Sequence, residues 1–200
     1  FGLDSNFKWM NDPRQFFISL SRYKFVSKIL KGKNEVLEVG CADGFNSRVV
    51  KQSVKNLYIS DSEDLFKKYF NKIKSSKWKI NFILNDFLKS KVKKKFDAIY
   101  SLDVLEHIPQ KKENIFMNNV IYSLKKNGIL ILGIPALEFQ KYSRPKNVSG
   151  HINCKTETEL RSFLQKYFQN VLIFGMNDEL VHTGFEKMCC YFLAVCVTKK

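Results

Sequence analysis

The sequence has 200 residues, of which 44% are hydrophobic and 14% aromatic, which supplies the core of one domain and excludes a disordered chain. Its longest apolar runs have only the length of a strand, so we expect no membrane-spanning helix. Thirty-four Lys and Arg residues against 19 Asp and Glu give a net charge of +15, but only five of these cations are arginine, which favours a solvated basic surface over a nucleic-acid interface.

Short apolar runs alternate with segments of helical periodicity, an order that predicts a parallel sheet covered by helices. A first helix opens at Asp12-Pro13 and ends near Gly32, so residues 1–34 form a predicted helical cap. The predicted strands are residues 35–39, 57–60, 80–84, 96–102, 129–133, 171–174 and 191–198. The other predicted helices are residues 45–52, 63–73, 110–126 and 156–167, and residues 135–155 are a predicted inserted loop on the substrate side.

Two helix ends carry local signals. Asn127-Gly128 is typical of a helix C-cap and turn, which places the end of the fourth predicted helix there. Thr156 followed by Glu159 has the spacing of a capping box and predicts the start of the last helix.

The most informative stretch is the glycine-rich turn after the first predicted strand, Glu38-Val39-Gly40-Cys41-Ala42-Asp43-Gly44. Such a turn lets backbone approach a ligand at the carboxyl end of a parallel sheet. The dinucleotide motif needs a small residue where this chain has Phe45. Because Glu38 and Asp43 would repel a phosphate, the turn favours a cationic ligand without phosphate, and S-adenosylmethionine fits that description.

Acidic residues also follow the next two predicted strands. Asp61 lies 21 residues after Gly40, where a carboxylate can accept hydrogen bonds from both ribose hydroxyls. Asp86 in Asn85-Asp86-Phe87 can accept from an adenine amino group beside an aromatic ring. Taken singly, Asp61 is as well explained as a helix N-cap and Asp86 as a turn residue. Their order at three successive strand ends favours a ligand site.

At these residues the chain resembles the class I S-adenosylmethionine-dependent methyltransferases, and the similarity spans about residues 36–200. Further similar segments are Ser101–Ile108 after the fourth strand, Lys126–Leu130 before the fifth, and Ser149–Ile152 with Thr156–Leu160, which is common in the small-molecule branch. The resemblance implies one Rossmann-like, doubly wound α/β domain over residues 1–200. Its sheet would have seven mostly parallel strands, an antiparallel last strand and helices on both faces.

The resemblance also implies S-adenosylmethionine as cofactor and S-adenosylhomocysteine as product. The implied cofactor-binding residues are Glu38, Gly40, Cys41, Ala42, Gly44, Asp61, Ser62, Asp86, Phe87, Ser101, Leu102 and His107. One departure is Ala42, where many members have glycine. Its methyl group is tolerable if the backbone φ there is negative, so this departure bears on affinity.

Histidine is the side chain best matched to removing a proton from an oxygen acceptor at neutral pH. His151 lies in the inserted loop with Tyr142 and Arg144. We predict His151 as the catalytic base and Tyr142 and Arg144 as substrate contacts. Anchoring of that loop or contact with cofactor is an equally good explanation of His151. The position of His107 beside Glu106 favours a structural role or a contact with the cofactor. The position of His182 between the last two strands favours a place in the substrate wall.

The acceptor is predicted to be a small molecule, such as a sugar, nucleotide-sugar or quinone-like metabolite. The segment Ser101-Leu102-Asp103-Val104 differs from the Asp/Asn-Pro-Pro-aromatic run of nucleic-acid amino-methyltransferases. An RNA or protein methyltransferase and a non-catalytic cofactor-binding module are the alternatives. The five cysteines form no Cys-x-x-Cys pair or Cys/His ligand spacing, so we expect no metal and a reducing, cytoplasmic location.

Overall fold

Strands rich in Val, Ile, Leu and aromatic residues alternate with helices along the computed structural model, which describes residues 2–143 and 149–200. The strands are β1 (Glu35–Val39), β2 (Asn56–Asp61), β3 (Ile80–Leu84), β4 (Phe96–Leu102), β5 (Leu124–Pro135), β6 (Phe168–Asn177), β7 (Leu180–His182) and β8 (Tyr191–Lys199). The helices are α1 (Leu3–Asn11), α2 (Pro13–Ile29), α3 (Ser47–Lys51), α4 (Asp64–Ile73), α5 (Glu113–Ser123) and α6 (Glu157–Gln165).

The eight strands of the described chain form one sheet in the order β3-β2-β1-β4-β5-β8-β6-β7. Strands β1 to β5 are parallel, and β8 lies antiparallel between β5 and β6. The doubly wound, mostly parallel sheet is therefore confirmed, with β7 added as an eighth strand. The strand order reverses between β1 and β4, and open α/β sheets bind ligands beyond the carboxyl ends of the strands at such a point.

Alternate residues of the central strands fill two separate cores, one on each face of the sheet. Val36 of β1 belongs to the core that α2, α3 and α4 cover, whereas Leu37 beside it belongs to the core that α5 and α6 cover. Both side chains are fully buried. This burial on both faces explains why β1 is almost continuously apolar.

The helical cap contains two helices, of which the sequence predicts only the second. Asp12 caps α2 by accepting a hydrogen bond from the Gln15 backbone N–H at 3.4 Å, and Pro13 occupies its first position. Just beyond the end of α2, Gly32 has a φ of +81°. None of the described helices has both the length and the apolarity needed to span a membrane.

The predicted helix end at Asn127-Gly128 is wrong. Helix α5 ends at Ser123, and the extended Leu124 already belongs to β5. Leu124 is buried and pairs with Phe96, with a register shift before the regular pairing resumes. Burial of this leucine against the sheet outweighs the local turn preference of the Asn-Gly pair.

Other boundaries follow the predictions more closely. Strands β3 and β4 have the predicted limits, and α6 begins with the predicted capping box at Thr156 and Glu159. Helix α3 is shorter than expected, because the turn before it continues to Asn46.

Candidate functional site

The glycine-rich turn packs closely enough against its neighbours that glycine is required at two positions. Gly40 has a φ of +79°, and a β-carbon there would lie 2.1 Å from Cγ2 of Val104. Gly44 has a φ of +69°, and a β-carbon there would lie 2.6 Å from Cδ1 of Ile59. Gly40 lines the first two cavities described below, whereas Gly44 lines neither and faces the core.

Ala42 occupies the third tight position of this turn. An alanine would be easily tolerated here only at a negative φ. The φ of Ala42 is +48°, so this condition is not met. A left-handed conformation costs an alanine about 1 kcal/mol relative to glycine. Its backbone N–H donates to Oδ2 of Asp61 at 2.9 Å, which ties the strained turn to the end of β2.

Glu38 lies beneath the turn and not at its surface. Its Oε1 accepts a hydrogen bond from Tyr23 at 2.7 Å, and its Oε2 accepts from Ser47 and, at 2.7 Å, from Tyr100. Burial raises the pKa of the Glu38 carboxyl to about 7 despite these bonds. The predicted direct contact of Glu38 with a ligand is therefore not supported; the side chain instead joins β1 to α2, α3 and β4.

Asp43 is also occupied within the protein. Its carboxylate accepts hydrogen bonds from the backbone N–H of Ser5 at 2.7 Å, from the Ser5 hydroxyl at 3.1 Å and from the Phe45 N–H at 2.9 Å. These bonds fix α1 against the turn. Asp43 lines the second cavity described below, but its carboxylate is engaged by Ser5 and Phe45, and Glu38 is buried away from the cavities. The expectation that these two charges select a cationic ligand is therefore not supported.

A cavity of about 290 Å³ opens at the carboxyl ends of β1, β2 and β3. Seven of the predicted cofactor-binding residues line it, namely Gly40, Ala42, Asp61, Ser62, Asp86, Phe87 and His107. Burial raises the pKa of the Asp61 carboxyl, whose oxygens accept hydrogen bonds from the backbone N–H groups of Ala42 and Glu63. Asp61 and Asp86 thus lie in one cavity, because the parallel neighbours β2 and β3 end at the same edge of the sheet.

A second cavity of about 230 Å³ adjoins the first under α1, and Cys41 and Leu102 line it. The thiol of Cys41 is buried, which raises its pKa well above the ordinary value. Ser101 does not reach either cavity, because it is buried and its hydroxyl donates to the Val39 carbonyl at 3.0 Å. The predicted contact of Ser101 with the cofactor is therefore not supported. Its side chain instead joins β4 to β1.

A third cavity of about 390 Å³ continues from the first two towards α2 and β8. Its wall includes Asp103, Glu106, His107, His151 and Tyr191. The ring centroids of His107 and His151 lie 5.2 Å apart. Burial lowers the pKa of the His151 imidazole, which keeps the ring neutral at neutral pH.

Buried polar contacts hold the segment that carries His151. Lys155 donates to Glu113 Oε2 at 2.8 Å, and Asn153 donates to the same oxygen at 3.0 Å. The backbone N–H of Asn153 also donates to the carbonyl of Glu106 at 3.0 Å. The end of the inserted loop is thereby attached to α5 and to the segment after β4, which brings His151 beside His107.

Arg22 and Asp103 form an ion pair between the cofactor side and the substrate side of the site, which the sequence does not predict. Arg22 of α2 donates two hydrogen bonds to Asp103, at 2.8 and 2.7 Å, and its guanidinium lies 3.7 Å from the ring centroid of Tyr191. Asp103 has a φ of +57°, and strained residues of this kind cluster at functional sites. Asp103 belongs to the segment after the fourth strand that carries part of the family resemblance, but no local pattern indicates Arg22 or Tyr191.

The three remaining substrate-side predictions have different outcomes. Tyr142 is exposed and lines a groove of about 940 Å³ beside α2, next to the third cavity. Arg144 lies outside the described residues. The predicted place of His182 in the substrate wall is not supported: it belongs to β7, where it contacts Asn177 Oδ1 at 2.8 Å and the Gly184 N–H at 2.9 Å, and it lines none of the cavities described above.

The comparison with known families agrees with this geometry. A family model described as a methyltransferase domain matches residues 13–171, which include β1 to β5, α6 and the start of β6. The chain belongs to this methyltransferase family. No protein of curated function shows detectable sequence similarity to the methyltransferase.

Solved structures share its fold at low sequence identity. The N-methyltransferase NodS from Bradyrhizobium japonicum WM9, in complex with S-adenosylhomocysteine, is 17% identical, with coverage of 98% of this chain and 93% of NodS and a TM-score of 0.67. The plantazolicin methyltransferase BpumL, also with S-adenosylhomocysteine, is 14% identical, covering 98% and 88%, with a TM-score of 0.70. The DhpI–SAM–HEP complex is 14% identical, covering 96% of each chain, with a TM-score of 0.64.

These findings confirm the resemblance to class I S-adenosylmethionine-dependent methyltransferases. The methyltransferase is accordingly an enzyme that uses S-adenosylmethionine as methyl donor.

Proposed function

We propose that the enzyme transfers the methyl group of S-adenosylmethionine to a hydroxyl of a small acceptor, of the size of a sugar or nucleotide-sugar. The observation that carries this proposal is the continuity of three cavities, all of which Asp103 and His107 line. A methyl donor and an acceptor in adjoining cavities can be held in line for direct displacement, which requires no covalent enzyme intermediate.

The cofactor is proposed to lie across the first two cavities. Asp61 would accept hydrogen bonds from the ribose hydroxyls, and Asp86 and Phe87 would contact the adenine. The backbone of Gly40 and Ala42 would face the methionine part beneath α1. Support comes from the lining of the first cavity, where these five residues meet although they follow three different strands.

The acceptor is proposed to occupy the third cavity, beside His151. The sequence-based hypothesis makes His151 the base that takes the acceptor proton. The ring is half-buried, and its Nδ1 contacts Gln140 Oε1 at 3.0 Å, which leaves Nε2 for the acceptor side. An amine acceptor would need no such base, and NodS, which shares this fold, is an N-methyltransferase.

Cofactor binding is tested by thermal shift with S-adenosylhomocysteine and with NAD as the control ligand. At 100 times its dissociation constant, S-adenosylhomocysteine should stabilise the fold by about 2.7 kcal/mol. NAD should give no comparable shift. Equal stabilisation by NAD would contradict the proposed function.

Turnover is tested by incubating the enzyme with S-adenosylmethionine and metabolite extracts and detecting a mass gain of one methylene. Once an acceptor is identified, His151→Ala should leave the affinity for S-adenosylhomocysteine unchanged and lower the rate by about 10²–10⁴-fold. Loss of cofactor affinity would instead make His151 a cofactor or loop contact. Cofactor binding with no methylated product in any extract would favour the non-catalytic binding module.

A further inference from the structure

Glu106, His107 and His151 form a cluster at the border of the cofactor and acceptor cavities. One potential ligand atom from each side chain lies within 4.8 Å of the other two. Glu106 and His107 belong to the 3₁₀ turn Leu105–His107 that follows β4, and His151 comes from the end of the inserted loop. No sequence pattern indicates this cluster, because the two histidines lie far apart in the chain and meet only in the fold.

Glu106 is the unusual member of the cluster. It is fully buried, and within the described chain neither carboxylate oxygen has a hydrogen-bond partner. A buried carboxylate without partners is costly, and such groups are commonly paired with a cation or bound to a metal. The charge of Arg22 acts on Glu106, but its guanidinium donates its hydrogen bonds to Asp103 and none to Glu106. A cation beside Glu106 would supply the partner it lacks.

Both histidines have the hydrogen bonds typical of metal ligands. Nδ1 of His107 contacts the Gly150 carbonyl at 2.8 Å, and Nδ1 of His151 contacts the side-chain carbonyl of Gln140 at 3.0 Å. Carbonyl oxygens only accept hydrogen bonds, so in the neutral form of each ring Nδ1 carries the proton and Nε2 has a free lone pair. Metal-binding histidines are fixed by this kind of outer contact.

We propose that Glu106, His107 and His151 bind one divalent transition cation, such as Mn²⁺ or Zn²⁺, at the acceptor side of the site. Two imidazoles and one carboxylate suit these ions, and three protein ligands leave positions for water or substrate. A cation held at ~2.0–2.2 Å from each donor requires the side chains to close from their present separation. The side chain of His107 is 51% exposed and has room to rotate.

This inference rests on the proposed function and changes the role of His151 within it. The cation lowers the pKa of an acceptor hydroxyl, and the hydroxyl proton leaves to solvent. The acceptor oxygen then forms a bond to the methyl carbon as the carbon–sulfur bond breaks, and that electron pair stays on sulfur as S-adenosylhomocysteine forms. His151 acts here as a ligand of the cation, whereas in the base hypothesis it takes the proton itself.

The test uses the full chain freed of metal by a chelator, with Mn²⁺ as probe and electron paramagnetic resonance and calorimetry as readouts. The wild type should bind one equivalent and unfold at a higher temperature when Mn²⁺ is present. Glu106→Gln and His151→Ala should each weaken Mn²⁺ binding at least tenfold. His182→Ala is the matched control, because it removes a histidine outside the cluster and should bind Mn²⁺ as the wild type does.

S-adenosylhomocysteine binding by each variant separates the possible failures. If the wild type binds S-adenosylhomocysteine but neither Mn²⁺ nor Zn²⁺ in large excess, the metal site is overturned and the proposed function stands. Equal Mn²⁺ binding by the wild type, Glu106→Gln and His151→Ala would also overturn it, since binding would then occur elsewhere. If the wild type does not bind S-adenosylhomocysteine, the proposed function itself fails.

Discussion

Glu38 shows how a single buried carboxyl couples the stability of the turn to pH. Tyr23, Tyr100 and Ser47 donate hydrogen bonds to it, and the charge of Asp61 acts on it from the next strand. The three hydrogen bonds favour the ionised form, but burial disfavours it more strongly. In the folded chain its pKa is therefore about 7, above the ordinary value of 4.5.

Because the folded chain holds this proton more tightly than the unfolded chain, Glu38 contributes stability that is complete below pH 4.5 and is lost as pH rises through 7. Glu38→Gln removes the titrating group. From pH 4.5 to pH 8, the wild type should lose about 3 kcal/mol of unfolding free energy relative to Glu38→Gln. Urea denaturation of both proteins across this range measures the difference, and parallel pH profiles would contradict it.

Asp61 is the residue on which the proposed ribose contact depends. Asp61→Ala should weaken binding of S-adenosylhomocysteine by about 1–3 kcal/mol, because each lost hydrogen bond is worth ~0.5–1.5 kcal/mol and two are proposed. Isothermal calorimetry measures this change. Asp64→Ala is a suitable control, since Asp64 lies on α4, is paired with Lys68 and should not alter binding.

Wild-type affinity in Asp61→Ala would refute the ribose contact. Asp61 also accepts from the N–H of Ala42, so part of the loss could come from the turn. Asp61→Asn keeps an oxygen acceptor for the turn, and comparing the two variants separates these contributions.

Among the elements, α2 does more to build the site than its place before β1 would indicate. Successive residues on one turn of this helix serve two parts of the molecule: Arg22 pairs with Asp103 at the cavity wall, and Tyr23 donates to Glu38 beneath the glycine turn. Helix α2 is therefore both a cover for the sheet and a wall of the substrate side.

Helix α6 offers a test of local sequence signals at the scale of an element. The Thr156 hydroxyl accepts from the Glu159 N–H at 3.2 Å, and the Glu159 carboxylate accepts from the Thr156 N–H at 2.8 Å. Thr156→Ala should lower the unfolding free energy by about 1 kcal/mol in chemical denaturation. Thr158→Ala, at an exposed position of the same helix, should be neutral or slightly stabilising. Equal effects of the two substitutions would mean that the cap contributes nothing.

The whole molecule carries a net charge of +15, which raises the alternative of an RNA substrate. Several lysines are paired with acids in the structure, among them Lys94 with Glu35 and Lys125 with Asp97. We expect only nonspecific RNA binding, with dissociation constants of ~10⁻⁴–10⁻⁶ M at physiological salt and a steep loss of affinity as salt rises.

Filter binding of RNAs of equal length and different sequence, repeated over a salt series, measures this expectation. Double-stranded DNA of similar length is the control for charge alone. Sequence-selective binding below ~10⁻⁸ M that persists in salt would favour an RNA methyltransferase over the small-molecule enzyme.

The sequence by itself determined the order of the elements from α2 onwards except β7, the parallel sheet and the meeting of Gly40, Asp61 and Asp86 at one edge. These features follow from local periodicity and from the rule that parallel strands end together, so they need no knowledge of packing. The same local reasoning failed at Asn127-Gly128 and misplaced His182, because burial of Leu124 and the pairing of β7 with β6 are decided between elements.

Only the tertiary structure decided which side chains face the cavities. The side chains of Glu38 and Ser101 point into the protein, where hydroxyl groups donate to Glu38 and the Val39 carbonyl accepts from Ser101. Gly44 faces the core, because a β-carbon there would overlap Ile59. Arg22, Glu106 and His151 come from distant parts of the chain and meet at the third cavity. Their proximity depends on how α2 and the inserted loop pack against β4. The sequence pattern of a single segment does not predict such packing between distant elements.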